Sequence, residues 1–184
     1  MIYTDIFGWF NKQGREVYKE MVQKFGDGSH FVEVGRFMGR STCAMAQIIQ
    51  KYNKKIKFDA VDHFRGSIEH ENILKGKDLY EIFINNMKEA NILDIVKPIK
   101  MDSLEAAKLY KDESLDFVFI DASHDYVSVI KDIEAWLPKV KNLGILAGDD
   151  YNEKHPGVIK AVDEKFGKET RKTGHYWLHW KKTN

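Results

Sequence analysis

His30-Phe31-Val32-Glu33-Val34-Gly35-Arg36-Phe37-Met38-Gly39-Arg40-Ser41-Thr42 reads as a strand, a tight glycine turn and the start of a helix. Phe31, Val32 and Val34 suit a buried strand. Gly35 and Gly39 allow a sharp turn and a close approach of the backbone to a ligand. The chain then reads as a helix over 41–52, with Cys43, Ala44, Ala46 and Ile48 for packing. A strand that feeds a helix through such a loop presents a ligand at the strand's carboxyl end.

The residues of the loop narrow the ligand. A dinucleotide fingerprint wants glycine at its first, third and sixth positions. Here Phe37 holds the third and Arg40 the sixth, so contact with a pyrophosphate is poorly supported. Glu33 precedes Gly35 by two residues. An acid there disfavours a phosphate and suits a ligand with an amino group and a positive centre. The pattern Glu33-x-Gly35-x-x-x-Gly39-x-Ser41 resembles the first motif of class I S-adenosylmethionine-dependent methyltransferases. The alternative is an ordinary strand–turn–helix with two structural glycines.

Outward from this loop, the 184 residues predict one domain over 1–184, with 1–27 as an N-terminal lid or helix segment. Apolar residues make up 43% and charged residues 31%, a soluble globular balance. The net charge of +1 leaves no overall footprint for nucleic acid or a membrane surface. Cys43 is the only cysteine, which excludes an internal disulfide and fits a reducing, cytoplasmic setting. Neither a signal-peptide pattern nor an apolar run of membrane length is present.

Residues 1–10 are aromatic-rich, with Tyr3, Phe7, Trp9 and Phe10. They read either as a segment docked on the core or as a lid over a ligand. A helix is predicted over 11–25, stopped by Gly26-Asp27-Gly28. A second strand over 55–61 ends at Asp62, and 63–76 reads as a loop. A helix over 78–91 precedes a third strand over 95–100, where Pro98 argues for a sheet edge. Asp102 or Ser103 caps a helix running to Tyr110. The near-continuous apolar run over 115–120 suits the centre of a parallel sheet and ends at Asp121. A helix over 126–137, a fifth strand over 143–147, a helix over 156–166 and a closing strand or hairpin within 170–182 complete the chain. This alternation predicts an α/β fold, a Rossmann-like doubly wound sheet with helices on both faces.

Right-handed crossovers then line up the strand ends along one rim. Asp62 stands where an acid accepts both hydroxyls of a ribose; a helix cap or solvated acid is the bland reading. Asp102-Ser103 follows the third strand, where an adenine edge is recognised, although capping alone explains both residues. Asp121, Asp149 and Asp150 end two strands expected to be neighbours. Such hard oxygen ligands suit Mg²⁺ or a related divalent ion. His124, three residues past Asp121, is a candidate proton acceptor.

Phe119-Ile120-Asp121-Ala122-Ser123-His124-Asp125-Tyr126, then Asp132-Ile133-Glu134-Ala135-Trp136-Leu137-Pro138, then Gly144-Ile145-Leu146-Ala147-Gly148-Asp149-Asp150-Tyr151, resemble methyltransferase family 24, which includes sugar O-methyltransferases. His155-Pro156-Gly157-Val158 is similar to its C-terminal helix, and the likeness runs from about residue 28 to 180. The resemblance implies seven strands with the last antiparallel, S-adenosylmethionine as donor, and often a divalent metal. The donor is expected at Glu33, Gly35, Gly39, Ser41, Asp62, Asp102, Ser103 and Asp121, and the resemblance implies Asp121, Asp149 and Asp150 for the metal. In the similar catechol O-methyltransferases a lysine three residues after the first metal acid takes the proton; here that place is held by His124, with Asp121 as the alternative base. The expected activity is methylation of a hydroxyl on a small molecule. A metal-independent methyltransferase and an inactive donor-binding module are the rivals. The acceptor and the oligomeric state, a homo-oligomer included, stay open.

Overall fold

The computed structural model describes residues 1–66 and 71–182. Its strands are β1 His30–Val34, β2 Lys57–Asp62, β3 Val96–Lys100, β4 Leu115–Ile120, β5 Val140–Gly148, β6 Thr170–Thr173 and β7 Tyr176–Trp180. They form one sheet in the order β3-β2-β1-β4-β5-β7-β6. β1 to β5 run parallel, and β7 lies antiparallel to both β5 and β6. The strand order reverses between β1 and β4, the crevice where doubly wound sheets bind ligands.

The period of two along β1 divides the core. Phe31 packs with Val17, Tyr18 and Met21 of α1 (Lys12–Lys24), with Ile48 of α2 (Arg40–Lys51) and with Phe83 and Met87 further on in the chain. Val32 and Val34 face the opposite layer, with Ile133, Trp136, Ala161 and Val162. Every residue of β4 except Asp116 is buried, as its apolar run demands of a strand covered on both faces. Burial of this kind stabilises by about 1.5–3 kcal/mol for each large apolar side chain.

The remaining helices are α3 Glu71–Leu74, α4 Leu79–Glu89, α5 Ser103–Ala107, α6 Tyr126–Trp136 and α7 Pro156–Phe166. Pro98 sits in β3, and β3 is an edge strand as its proline requires. Several boundaries differ from the sequence reading. β2 starts at Lys57, because Lys55 donates its N–H to the Asp27 carboxylate instead of a ladder. α3 interrupts the predicted loop 63–76, of which 67–70 lie outside the described residues. α5 stops at Ala107, and Tyr110 turns inward to Asp59. β5 begins three residues early at Val140. Leu143 there is 70% exposed with φ +65°, and the register between β4 and β5 shifts between Leu115 and Phe117. A kinked entry with an outward leucine hides the strand's period.

Candidate active site

Three backbone bonds extend the ladder past the strand ends and fix the rim. Gly35 N–H donates to the Val61 carbonyl at 3.0 Å, Asp121 N–H to Val34 at 2.8 Å, and Asp149 N–H to Ile120 at 3.2 Å. Gly35 has φ +81°, and a Cβ there would lie 2.1 Å from the Asp121 carbonyl oxygen. Glycine is therefore required by the abutment of the loop on the end of β4, not by a ligand alone. Gly39 is the N-cap of α2, packed beneath Phe83 and Met87.

Glu33 does not line the loop. It is 1% exposed, accepts from Tyr18 Oη at 2.8 Å and from Thr42 Oγ1 at 2.5 Å, and so joins β1 to α1 and α2 from below. Burial raises its carboxyl above the usual range, against the pull of Arg36 and the Ser41 and Thr42 hydroxyls. Each of its carboxylate oxygens accepts a bond inside the core. Ser41, 5% exposed, is buried beside it.

Asp62 lies at the crevice. It accepts the Arg36 N–H at 3.0 Å and the Phe64 N–H at 2.7 Å. Burial alone would raise its carboxyl; the Arg36 guanidinium, 3.7 Å away, and the two amides hold it below the usual range. A carboxylate has about four lone-pair sites, so capacity remains for hydroxyl donors. Beyond it, Asp102 pairs with Arg65 and makes no side-chain cap on α5, contrary to the capping expectation. The Ser103 hydroxyl donates to Asp132 at 2.5 Å and accepts from Trp136 Nε1 at 2.9 Å, so it is taken up by the packing of α5 on α6.

At the ends of β4 and β5 the carboxylates crowd together. Burial, then the charges of Asp149 and Asp150, push the Asp121 carboxyl well above the usual range. Burial and Asp150 raise Asp149 to about 6. Asp150 goes the other way: burial would raise it, but a hydrogen bond from His124 and the nearness of His124, His155 and His175 lower it. Asp150 also has φ +61°, a left-handed conformation uncommon for a side-chain-bearing residue and frequent at functional sites.

Histidines complete this corner. His124 Nε2 lies 2.9 Å from Asp150 Oδ2, and His155 Nε2 lies 3.5 Å from Asp150 Oδ1. His175 Nδ1 pairs with Asp149, while its Nε2 is 2.9 Å from Asn11 Nδ2. Two groups of side chains converge closely enough to share an ion: His124, Asp150 and His155, and Asp149, Asp150 and His175. Asp121 belongs to neither among the described residues, so the expected metal set of Asp121, Asp149 and Asp150 is not the set brought together. The β5 carboxylates pair with imidazoles instead. Sequence reasoning missed His155 and His175. His155 had a signal, its place just before Pro156 at a helix start; His175 had none, because it meets Asp149 from 26 residues away.

The N-terminal segment is docked on the core beside the loop. Ile6 and Phe10 are buried, and Arg40 ties the segment to α2 by donating to the Phe10 and Ile6 carbonyls at 2.9 and 3.2 Å. Phe7 and Trp9 are exposed and meet Phe37 of the glycine loop, with ring centroids 6.2 and 5.5 Å away.

This arrangement is that of a class I methyltransferase. The family 24 methyltransferase domain matches residues 32–151, and the chain belongs to that family. It is 29% identical over 144 residues to "Uncharacterized protein R132" of Acanthamoeba polyphaga mimivirus, across 75% of this chain and 59% of that one. The chain thus spans about 59% of the length of that curated relative. The O-methyltransferase NovP superposes with a TM-score of 0.71 at 19% identity, over 93% of this chain and 80% of its own. An O-methyltransferase from Bacillus cereus, solved in complex with SAH, gives 0.65 at 19% identity, over 95% and 83%. At such identities the likeness establishes a common fold. Among the described residues no helix is long and apolar enough to cross a membrane.

Proposed function

We propose that the chain is an S-adenosylmethionine-dependent O-methyltransferase that methylates a hydroxyl of a small molecule, with a divalent ion at the acidic rim. One observation carries this reading: the glycine loop abuts the end of β4 so closely that Gly35 touches the backbone of Asp121. A donor over the loop would then have its reacting end beside the acids of β4 and β5. When bound, the donor supplies a methyl group activated on a sulfonium, and a divalent ion supplies a lower pKa to a coordinated hydroxyl.

The chain's own residues do the rest. Asp62 takes the ribose hydroxyls, and the backbone over 35–39 supports the remainder of the donor. Asp149 and Asp150 bring negative charge to the ion. Asp121 or His124, both on the segment leaving β4, accepts the acceptor's proton. Phe7 and Trp9 close over the loop and exclude water. Holding both reactants in line contributes much of the acceleration.

The test is calorimetric and chemical. S-adenosylmethionine and its demethylated product are titrated into wild type and Asp62→Ala, and hydroxylated metabolites are screened for methyl transfer with Mg²⁺ or Mn²⁺ present. Binding by wild type, weakened in Asp62→Ala, supports the donor site. Equal affinity in both proteins removes the ribose assignment, and no binding to wild type removes the methyltransferase reading.

A further inference from the structure

The family resemblance leads one to expect a hard, all-oxygen magnesium site, and the donor atoms that converge here are of a different kind. We propose that His124, Asp150 and His155 form a mixed imidazole–carboxylate site for a divalent transition-metal ion, such as Zn²⁺, Co²⁺ or Fe²⁺, in preference to Mg²⁺. Only the use of this ion in methyl transfer rests on the function proposed above, and with His124 ligated the proton there falls to Asp121; the binding site stands apart from it.

Geometry carries the argument. For bonds of about 2.1 Å, two donors on one ion lie about 3.0 Å apart at a right angle and about 3.4 Å apart at a tetrahedral one. The two imidazole–carboxylate separations are 2.9 and 3.5 Å. The longer one exceeds the about 2.7–2.9 Å of a charge-assisted hydrogen bond and matches the tetrahedral spacing of two donors on one ion. The two histidine rings meet with centroids 4.2 Å apart, and each directs Nε2 at a different oxygen of Asp150.

The fold is shaped to bring these groups together. A Cβ on Gly157 would lie 2.5 Å from the His124 carbonyl oxygen and 2.6 Å from the Tyr126 nitrogen. Only glycine lets the start of α7 press against the segment after β4, and His155 stands directly before that helix. The left-handed backbone at Asp150 turns its carboxylate toward the same point.

The second convergent group is the weaker candidate. His175 has Asp149 at Nδ1 and Asn11 at Nε2, so both its nitrogens are already engaged. That arrangement is the one by which outer residues orient a site, not the one by which they ligate. Three protein ligands with one side open are what a catalytic ion keeps for water or substrate. His124, Asp150 and His155 are all partly exposed, so an ion and an acceptor oxygen have access from solvent. Imidazole donors suit Zn²⁺, Fe²⁺ and Co²⁺, whereas Mg²⁺ asks for oxygen.

The full chain, stripped with chelator, is titrated by calorimetry with Mg²⁺, Mn²⁺, Co²⁺ and Zn²⁺, and the visible spectrum of the Co²⁺ form is recorded. One equivalent of Co²⁺ or Zn²⁺ is expected to bind at least ~10-fold more tightly than Mg²⁺. His155→Ala and His124→Gln should each weaken it by at least the ~10–100-fold that loss of an outer partner costs, and should change the Co²⁺ bands. Asp150→Asn, in which asparagine tolerates the left-handed backbone, should do the same. Mg²⁺ binding as tightly as Zn²⁺, no ion binding at one site, or unchanged affinity and spectrum in His155→Ala would each overturn the proposal. S-adenosylmethionine titrated into the same samples reports folding and keeps the two readings apart. Donor binding without the metal preference defeats this inference alone; the metal preference without donor binding defeats the methyltransferase reading alone.

Discussion

At the amino ends of the strands, His30 Nε2 lies 2.9 Å from Asp59, and Tyr110 Oη donates to the same carboxylate at 2.7 Å. At the carboxyl ends, Asp121 has Asp149 and Asp150 as its neighbours. Both ends use acids and histidines, yet Asp59 shifts opposite to Asp121 and Asp149. Burial would raise Asp59, but its hydrogen bonds from His30 and Tyr110 bring it below the usual range. Asp121 is raised by burial and by the charges of Asp149 and Asp150, and Asp149 by burial and by Asp150. The lower end is electrostatically satisfied; the upper end has an excess of charge that a cation or a proton would relieve. A cavity of about 790 Å³ lies at the lower end, lined by His30, Asp59 and Lys57 among others. Cavity volume would therefore point away from the chemistry, and charge balance points toward it.

The sharpest way to break this contrast is Asp121→Asn. If the upper acids are arranged for function at the expense of stability, turnover should fall by about 10²–10⁴, the usual loss for an acid–base group. The metal-free protein should melt higher, by about 2–4 °C for each kcal/mol of repulsion relieved in a domain of this size. Assays of methyl transfer and thermal unfolding on the same preparation check both. A variant that loses stability as well as activity would put Asp121 with the structural acids.

Asp59→Asn is the converse. It weakens two hydrogen bonds to a buried carboxylate, which together should cost about 2 kcal/mol, or roughly 4–8 °C in Tm. Donor affinity, read by calorimetry, should not change. A loss of donor binding with the fold intact would mean that the two ends communicate.

Acid titration of the metal-free protein compares the ends directly. Asp59 has a depressed folded pKa, so its contribution is present above the unfolded value of about 3.9 and is lost as pH falls through the folded value below that. Asp149, raised to about 6, is destabilising above that pH, and the penalty disappears as pH falls toward about 3.9. Melting curves from pH 7 to 3 should therefore lose a rise between pH 7 and 4 in Asp149→Asn, and lose part of the final fall in Asp59→Asn. Wild-type slopes in both variants would contradict the assignment of the shifts.

Much of this architecture is legible in the chain because strands β1 and β4 carry strong apolar patterns and an acid ends or directly follows β2, β4 and β5. The rim acids Asp62, Asp121, Asp149 and Asp150 were found by that rule. The same period places Glu33. It lies two residues after Phe31 and so shares that residue's face, toward Tyr18 of α1. What no local pattern encodes is the pairing of distant turns. His155 meets Asp150 through the seating of α7, and His175 meets Asp149 through the β6–β7 hairpin. Those contacts depend on the tertiary arrangement, and they set imidazole nitrogens beside the carboxylate oxygens.

The smallest effect belongs to Asp102, at the margin of the upper end. Its carboxylate pairs with Arg65, and both side chains are more than half exposed, so solvent screens the pair. Arg65→Ala should accordingly change stability by no more than about 1 kcal/mol. Nor does Asp102 cap α5 through its side chain, so Asp102→Ala removes no helix cap. Any effect of Asp102→Ala on donor affinity then reports contact with the donor itself and not a damaged fold. A several-fold rise in the donor's Kd with an unchanged melting temperature would extend the donor site from Asp62 past the end of β3. If affinity is unchanged in Asp102→Ala and falls in Asp62→Ala, the functional rim stops at β2, and Asp102 joins the solvated surface with its arginine.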